Sequence, residues 1–281
     1  MILRVQDVRV SFRKERQERL FGRERQQVLK GVSFELAQGE SLALVGESGS
    51  GKSTLGRVIC GLLKPDGGSA TMDGLDIYAR RTQEQEARLR NRISVVFQDY
   101  TTSVNPRFRV GDIIGESLRV LAKSGRAGKP WREEVKPLLD QVGLPASYAA
   151  RFPHELSGGQ LQRVCIARAV AVKPELIVLD EAISSLDAST QTQVMDLLLH
   201  LRRLHGFSYF FITHDLTAVT YMCDRVLFFH GGNIVEAVDD IGGLPHVRNE
   251  YARRLLDAVI RIDAKKACGR GIPARFSTPT S

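Results

Sequence analysis

Residues 41–53 read SLALVGESGSGKS, a short apolar run that ends in a glycine-rich segment. The run Ser41–Val45 predicts a buried strand, and Lys52–Leu63 predicts a helix that stops before the turn-forming residues 64–68. Between them, residues 46–53 fit the pattern G-x-x-x-x-G-K-[ST]. A strand, a glycine turn and a helix in this order predict a site that binds phosphate groups.

The chemistry of this segment points to a nucleotide. Glycines allow backbone amides to wrap around a phosphate, and the N-terminus of the helix adds a positive potential. We expect Lys52 to reach the β and γ phosphates of the nucleotide and the hydroxyl of Ser53 to bind Mg²⁺. The residues predicted to surround the nucleotide are Gly46, Glu47, Ser48, Gly49, Ser50, Gly51, Lys52, Ser53 and Thr54.

A second apolar run, Leu176–Leu179, ends in two carboxylates. We predict that Asp180 helps to hold Mg²⁺ and that Glu181 orients and deprotonates the attacking water. The alternative is an ordinary strand followed by an acidic helix cap. A phosphate loop in the same chain favours the catalytic interpretation.

Short apolar segments continue along the chain and alternate with helical patterns. This alternation predicts a parallel sheet that is covered on both faces. The predicted helices include Ser189–Leu204, and the predicted strands are Leu3–Val10, Val28–Leu36, Ser41–Val45, Ala70–Met72, Ile93–Phe97, Leu176–Leu179, Tyr209–Ile212 and Val226–Phe229.

Three parts of the chain differ in their predicted secondary structure. Residues 1–97 and 173–240 carry the strands and predict an α/β nucleotide-binding core. Residues 98–172 read as helices between glycine and proline breaks, which predicts a helical insertion. Residues 241–281 predict one more helix, Pro245–Ile260, followed by a flexible tail.

Composition excludes several classes of protein. The chain has 281 residues, of which 43% are hydrophobic and 26% charged, as in an ordinary globular protein. Its apolar runs are far shorter than the ~20 residues that span a bilayer, and its first residues lack the apolar stretch of a signal peptide, so we expect a cytoplasmic location. The four cysteines are too scattered for a zinc or iron–sulfur site, so we expect free, buried thiols.

The net charge of +8 is concentrated in two arms. Residues 9–30 carry eight basic and three acidic side chains, and residues 260–281 carry five and one. The remainder is nearly neutral. This distribution favours solvated or membrane-facing segments over a groove that binds nucleic acid.

The segment Leu156–Gln160, LSGGQ, opens a further predicted helix with a hydroxyl and two glycines. Here the chain resembles the ATP-binding cassette (ABC) family, whose signature is this pentapeptide, placed between the phosphate loop and the acidic strand. The resemblance covers Leu3 to about Leu256. It implies a P-loop NTPase fold of the ABC type, α/β with an antiparallel β subdomain and a helical subdomain. It also implies that two cassettes stack head to tail, so that one cassette's signature caps the ATP of the other; the signature residues concerned are Ser157, Gly158, Gly159 and Gln160.

Four other positions resemble functional residues of the family. Gln98 resembles the glutamine that contacts Mg²⁺ or water, and His214 resembles the switch histidine that contacts the γ-phosphate. Asp187 resembles a residue that crosses the dimer. Phe12 is the candidate to stack on adenine, although a core phenylalanine is the alternative.

Several stretches resemble the peptide and nickel importer branch of the family. They include residues 19–23, 96–106 and 152–155. Within that branch, residues 156–165 (LSGGQLQRVC) and 180–187 (DEAISSLD) most resemble the second ATPase subunit of nickel importers. The six histidines are dispersed, so we expect no direct binding of nickel by this chain.

The segment 246–256 resembles a decayed form of that branch's C-terminal His-Pro-Tyr-x-x-x-Leu-Leu pattern. Its departure from the pattern leaves the role of the C-terminal segment unassigned. The charged loop predicted for residues 13–27 is unassigned as well.

The resemblance implies an ATPase that couples ATP hydrolysis to nickel uptake at the cytoplasmic face of the inner membrane. The implied partners are a second ATPase subunit, in a heterodimer, two permeases and an extracytoplasmic substrate-binding protein, with no nucleic acid; the membrane is reached through the permeases only. Residues 98–172 are expected to form a groove for a permease helix. The alternatives are a dipeptide or oligopeptide importer ATPase, a soluble ABC ATPase that acts on DNA or ribosomes, and an efflux ATPase.

Overall fold

The fold is built around a six-stranded sheet with β3, the strand of the phosphate loop, near its centre. The computed structural model describes residues 1–13, 25–79, 82, 89, 91–123 and 129–258. The strand order is β10-β9-β3-β8-β7-β6, and every neighbouring pair is parallel except β10 and β9. The strands are β3 (Ser41–Val45), β6 (Ile93–Val96), β7 (Leu176–Asp180), β8 (Ser208–Thr213), β9 (Arg225–His230) and β10 (Asn233–Val238). The predicted parallel sheet is confirmed.

Alternate residues of these strands face two different hydrophobic cores. Along β8, Tyr209 and Phe211 belong to one core, whereas Phe210 and Ile212 belong to the other. The first core includes residues of α5 (Ala188–His205) and α6 (Leu216–Met222), and the second includes residues of α1 (Lys52–Ile59). The sheet is therefore covered on both faces, which is why its strands are apolar throughout.

A second, antiparallel sheet of four strands packs on the α1 side, in the order β2-β1-β4-β5. Its strands are β1 (Leu3–Arg13), β2 (Arg25–Leu36), β4 (Gly67–Met72) and β5 (Leu75–Asp76). Phe34 of β2 stacks on Phe210 of β8 with the ring centroids 5.2 Å apart, so that apolar contact joins the two sheets. The antiparallel subdomain implied by the family resemblance is confirmed.

Three helices fill the chain between β6 and β7. They are α2 (Val110–Lys123), α3 (Trp131–Gln141) and α4 (Gly158–Val170). Two short 3₁₀ helices, Ala146–Ala150 and Pro153–Glu155, lie between α3 and α4. The described part of residues 98–172 is thus rich in helices, but not every glycine or proline separates two of them, because Pro137 lies inside α3 and Gly115 inside α2.

Some boundaries differ from the prediction. The charged loop predicted from Arg13 to Gln27 is too long, because Arg13 pairs with Arg25 across β1 and β2; residues 14–24 lie outside the described residues. Helix α1 ends at Ile59 rather than Leu63, because Gly61 adopts a φ of 71° that an α-helix does not allow.

The C-terminal helix also begins later than predicted. Pro245 lies in a 3₁₀ helix, Ile241–His246, and the α-helix that we call α7 occupies residues 250–258. The strand β10 and the short helix α6 were not predicted. The predicted flexible tail lies outside the described residues.

No helix in the described ranges combines the length and the apolar character needed to cross a bilayer. Cys60, Cys165 and Cys223 are free thiols, and the last two are buried. The fourth cysteine, Cys268, is outside the described part of the chain.

Candidate active site

A cavity of about 430 Å³ lies where β3 runs into α1. Its lining residues come from the phosphate loop, from β1 and β2, and from the carboxyl ends of β6, β7 and β8. The residues that line it are Phe12, Val28, Ser48, Gly49, Gly51, Lys52, Ser53, Thr54, Gln98, Glu181 and His214. Parallel sheets place ligand sites at the carboxyl ends of their strands, as here.

The turn between β3 and α1 requires its glycines. Gly49 and Gly51 have φ values of 78° and 108°, in the region that favours glycine. A Cβ on Gly46 would lie 2.1 Å from the carbonyl oxygen of Phe229 on β9. The backbone of the loop therefore lies close against the sheet, and its last glycine, Gly51, is the N-cap of α1.

Lys52 provides a buried positive charge at the start of α1. Its side chain curls back onto the loop, with Nζ 2.7 Å from the carbonyl oxygen of Gly46 and 2.8 Å from that of Glu47. Only 5% of the residue is exposed, and burial lowers the pKa of the ammonium group, an effect opposed by the nearby carboxylates of Glu181, Asp180 and Glu47. The site thus holds a cation that is poorly hydrated and able to bind an anion.

Ser53 and Asp180 bring two oxygen ligands together. The hydroxyl of Ser53 donates a hydrogen bond of 3.0 Å to Oδ1 of Asp180, and burial raises the pKa of the Asp180 carboxyl. A hydroxyl and a carboxylate are ligands that Mg²⁺ accepts when phosphate oxygens complete its coordination. The residues present therefore fit a magnesium ion that arrives with a nucleotide. Within the described ranges, no group of three or more His, Cys, Asp or Glu side chains could hold a metal by itself.

Glu181 and His214 form a pair at the ends of β7 and β8. Nδ1 of His214 lies 2.8 Å from Oε2 of Glu181. Glu181 is only 9% exposed and has a φ of 52°, and its backbone N–H donates to the carbonyl oxygen of Ile212. A buried carboxylate held in strained backbone geometry is typical of functional sites. The His214 side chain is 61% exposed, so the pair lies at the mouth of the cavity.

Gln98 and Phe12 line the cavity from opposite elements. Gln98 follows β6 and is exposed. Phe12 is in β1, opposite Gln26 of β2, and is 42% exposed. The alternative interpretation of Phe12 as a core residue is therefore wrong, and its ring offers an accessible apolar face beside the phosphate loop.

The signature segment lies elsewhere. Ser157 caps the N-terminus of α4 by accepting a hydrogen bond from the Gln160 N–H, and the Gln160 side chain accepts one from the Ser157 N–H. A Cβ on Gly158 would lie 2.6 Å from the Tyr100 hydroxyl oxygen. None of the residues Ser157, Gly158, Gly159 and Gln160 is among those that line the cavity.

Asp187 caps α5 and also does not line the cavity. Its carboxylate accepts hydrogen bonds from the N–H and the hydroxyl of Thr190, which lower the pKa of Asp187. Gly159 of α4 packs against the same threonine, since a Cβ there would lie 2.4 Å from Thr190 Cγ2. The predicted residues thus form two groups, one around the cavity and one where α4 meets α5.

One further contact at the loop was not predicted. The backbone N–H of Glu47 donates a 2.9 Å hydrogen bond to the hydroxyl of Tyr251 on α7. The only sequence signal for it is the tyrosine in the decayed C-terminal pattern, which by itself gives no indication of its partner.

The family model described as "ABC transporter" matches residues 29–184. Three relatives resemble the chain over most of its length. The metal-staphylopine import system ATP-binding protein of Staphylococcus aureus (strain Mu50) is 42% identical over 91% of this chain and 98% of its own. The nickel import ATP-binding protein of Rhodospirillum rubrum is 46% identical over 83% of both chains. A putative peptide import ATP-binding protein of Brucella abortus (strain 2308) is 45% identical over 86% of this chain and 72% of its own.

Two solved structures are also similar in fold to this chain. A dimeric bacterial ABC transporter cassette, MJ0796, matches 85% of this chain and 99% of its own, with a TM-score of 0.72 and 26% sequence identity. The same cassette in a dimeric post-hydrolysis state, bound to ADP and Pi, matches equally well.

Proposed function

The chain belongs to the ABC transporter family, and from this premise we propose that it is the ATPase subunit that powers nickel import through partner permeases. The ATPase activity belongs to the family as a whole. One structural observation carries the ATPase part of the proposal: Lys52, Ser53 and the Glu181–His214 pair line a single cavity, and Ser53 bonds to Asp180. A cation, an oxygen ligand set and a buried carboxylate are the groups that hydrolysis of a phosphate anhydride requires.

In this proposal the chain's residues bind and orient ATP. Lys52 and the loop amides bind the phosphates, and Phe12 stacks on the adenine. The remaining loop residues that we assign to nucleotide binding are Gly46, Glu47, Ser48, Gly49, Ser50, Gly51 and Thr54. Ser53, Asp180 and Gln98 are the residues that would hold a magnesium ion, which would neutralise charge on the phosphates.

Glu181 is proposed to act as the general base. Its carboxylate accepts a proton from the water that attacks the γ-phosphate, and His214 holds that carboxylate in place. The water attacks the γ-phosphorus and ADP is the leaving group, and His214 at the mouth of the cavity is also placed to contact the γ-phosphate.

The second group of predicted residues is proposed to act on a partner cassette. Ser157, Gly158, Gly159, Gln160 and Asp187 lie outside the cavity of their own chain. The similar solved cassette is a dimer, which supports an arrangement in which each ATP contacts both subunits. ATP then favours the closed dimer of the two cassettes. Hydrolysis removes the contacts that bridge the cassettes, and the resulting shift from closed to open dimers drives the permeases. We propose a heterodimer, by analogy with two-ATPase nickel importers.

The proposed complex contains two permeases and an extracytoplasmic substrate-binding protein, and it places this chain peripherally at the cytoplasmic face of the inner membrane. The import functions named for the relatives support such partners. Residues 98–172, with helices α2–α4, are proposed as the unit that receives a permease helix. No role in binding nucleic acid is proposed.

Peptide import is the second candidate. The relatives named for nickel, for metal–staphylopine complexes and for peptides have similar identities to this chain, from 42% to 46%. The nickel assignment rests on residues 156–165 and 180–187, which resemble nickel importer subunits. The substrate itself is selected by the proposed partners, so only transport can decide between the candidates.

Uptake in cells tests the proposal. We would compare wild type with Lys52→Ala for three radioactive substrates: free nickel ion, nickel bound to a metal-chelating small molecule, and a dipeptide. Lys64→Ala is the control, because Lys64 is an exposed lysine outside the cavity. We expect Lys52→Ala to abolish uptake of free nickel alone.

Loss of dipeptide uptake instead would assign the chain to the peptide candidate, and loss of only the chelated metal would replace free nickel by a metal complex. If none of the three changed while Lys52→Ala no longer bound ATP, the importer proposal would be wrong.

A further inference from the structure

The first peptide group of the phosphate loop is held on both sides. Its carbonyl, that of Gly46, accepts a 2.7 Å hydrogen bond from Lys52 Nζ, and its N–H, that of Glu47, donates a 2.9 Å bond to the hydroxyl of Tyr251. Lys52 is part of the loop's own helix, whereas Tyr251 comes from the C-terminal helix, 204 residues away in sequence. The orientation of this peptide therefore depends on a distant segment of the chain.

The hydroxyl of Tyr251 is placed rigidly. Its ring packs on the ring of His230, at the end of β9, with the centroids 4.2 Å apart. At the start of α7 the Asn249 side chain accepts a hydrogen bond from the Tyr251 N–H. The carboxylate of Glu236 on β10 accepts bonds of 2.7 and 2.8 Å from the N–H groups of Arg248 and Asn249. The helix is thus anchored to the sheet at the turn that carries the tyrosine.

Nucleotide binding would change one of the two contacts on this peptide. The ammonium group of Lys52 has three N–H donors and already donates to the carbonyl oxygens of Gly46 and Glu47, so the phosphates of ATP would compete with these carbonyls for it. The bond from the Glu47 N–H to Tyr251 does not involve Lys52 and is not subject to that competition. An anion site made of backbone amides binds well only if those amides are already oriented.

We propose that Tyr251 is a positioning residue for ATP binding, which fixes the first peptide of the phosphate loop and couples that loop to the C-terminal helix. This inference rests on the proposed function, because it assumes that the loop binds ATP. Tyr251 acts through Glu47 and does not line the cavity, so it is expected to affect nucleotide affinity and not the chemical step.

The test is Tyr251→Phe in the full chain. This substitution removes one hydroxyl and keeps the ring that packs on His230. We expect the Kd for Mg-ATP, measured by calorimetry, to rise about three- to tenfold, as for the loss of one hydrogen bond. The KM for ATP should rise by the same factor, while kcat at saturating ATP and the thermal midpoint stay close to wild type.

Tyr221→Phe is the matched control. The Tyr221 hydroxyl also makes one side-chain hydrogen bond, to Asp196 of α5, but it does not touch the phosphate loop. The control should leave both Kd and KM unchanged. If it raised them as much as Tyr251→Phe does, the positioning role would be disproved.

Glu236→Ala provides a second variant that leaves the tyrosine intact. Because Glu236 anchors the start of α7, its removal should weaken ATP binding in the same direction. In the double variant with Tyr251→Phe, the Kd for ATP should rise by less than the product of the two separate fold-changes. Both substitutions act through the same contact, so their effects are not independent.

The outcomes separate this inference from the proposed function. If the wild-type chain bound no ATP, the proposed function and the inference would both be wrong. If the wild type bound ATP and Tyr251→Phe bound it equally well, or lowered kcat with KM unchanged, only the inference would fail.

Discussion

The hydroxyl of Ser53 lies 3.0 Å from the carboxylate of Asp180, although 127 residues separate them in sequence. Ser53 is in the first turn of α1, and Asp180 is the last residue of β7. The contact exists because β8 lies between β3 and β7 and pairs in parallel with both, which brings all three carboxyl ends to one edge of the sheet. Two motifs that are far apart in the sequence therefore form one site at this edge.

Ser53→Ala should weaken ATP binding only when magnesium is present. Loss of the hydroxyl removes a predicted magnesium ligand and leaves the Asp180 carboxylate without its hydrogen-bond donor. We expect the Kd for ATP with Mg²⁺ to rise about tenfold or more, and the Kd in EDTA to change little. Calorimetric titrations with and without the metal would measure both. Ser147→Ala, in an exposed 3₁₀ helix, is the control, and an equal rise in both conditions would contradict the assignment.

Glu181→Gln should bind ATP but fail to hydrolyse it. The amide keeps the size of the side chain and a hydrogen-bonding atom for His214, yet it cannot accept a proton from water. We expect turnover to fall by roughly 100-fold or more, the range for loss of a general base. Phosphate release and ATP binding, measured on the same preparation, check this. Glu133→Gln, on an exposed position of α3, should behave as wild type; normal turnover in Glu181→Gln would overturn the assignment of the base.

His214→Ala should slow hydrolysis with a smaller effect on ATP affinity. Without the imidazole, the buried Glu181 carboxylate loses its 2.8 Å partner and its fixed orientation. A hydrogen bond to a charged group is worth enough to predict a fall in kcat of about tenfold or more. Steady-state kinetics would separate kcat from KM, with His200→Ala on α5 as the exposed control. A rise in KM at constant kcat would assign His214 to binding alone.

Much of the fold was predictable because its strands are buried on both faces. Tyr209–Ile212 is apolar throughout, and every residue of β8 is buried, so the parallel sheet was evident from the sequence. β10 was missed for the opposite reason: it lies at the edge of the sheet and its residues are partly or fully exposed, so it carries no clear alternation. The helix α6 was missed because seven residues are too few for a helical period to stand out.

Most of the cavity residues were predictable from local motifs, because these motifs follow strands of one parallel sheet. Phe12 and Val28 are the exceptions, since they lie in the antiparallel sheet; Phe12 was a candidate, whereas Val28 was missed. The contact between Tyr251 and Glu47 was not predictable, because no local sequence pattern indicates that these two distant segments meet. The packing role of Gly159 was not predictable from the sequence either. Its packing on Thr190 depends on how α4 meets α5, which the sequence of neither helix specifies alone.

The thiols of Cys60 and Cys223 should react slowly with alkylating agents in the folded chain. Desolvation by the surrounding protein raises the pKa of both thiols, the partly exposed Cys60 and the buried Cys223, to about 12, so the thiolate fraction near neutral pH is far below that of a fully exposed cysteine. Because the pKa is raised, the rate should still increase with pH above about 9 instead of levelling off there. Mass spectrometry of iodoacetamide-treated Cys268→Ser protein would follow both sites, with urea-unfolded chain as the control. A plateau near pH 9 would contradict the raised pKa of these thiols.

Gly159→Ala should destabilise the chain, and Thr190→Ser should restore its stability. The new methyl group would lie 2.4 Å from Thr190 Cγ2, and the threonine cannot rotate away without losing the 2.7 Å bond from its hydroxyl to Asp187. Overpacking of this kind costs about 1–3 kcal/mol in the free energy of unfolding. Serine removes Cγ2 and keeps the hydroxyl, so the double variant should regain most of the loss in urea denaturation. Thr190→Ser alone is the control and should lie near wild type. Because Gly159 is also proposed to face the partner's ATP, the double variant should remain impaired in ATPase activity, whereas full recovery of both properties would limit Gly159 to packing.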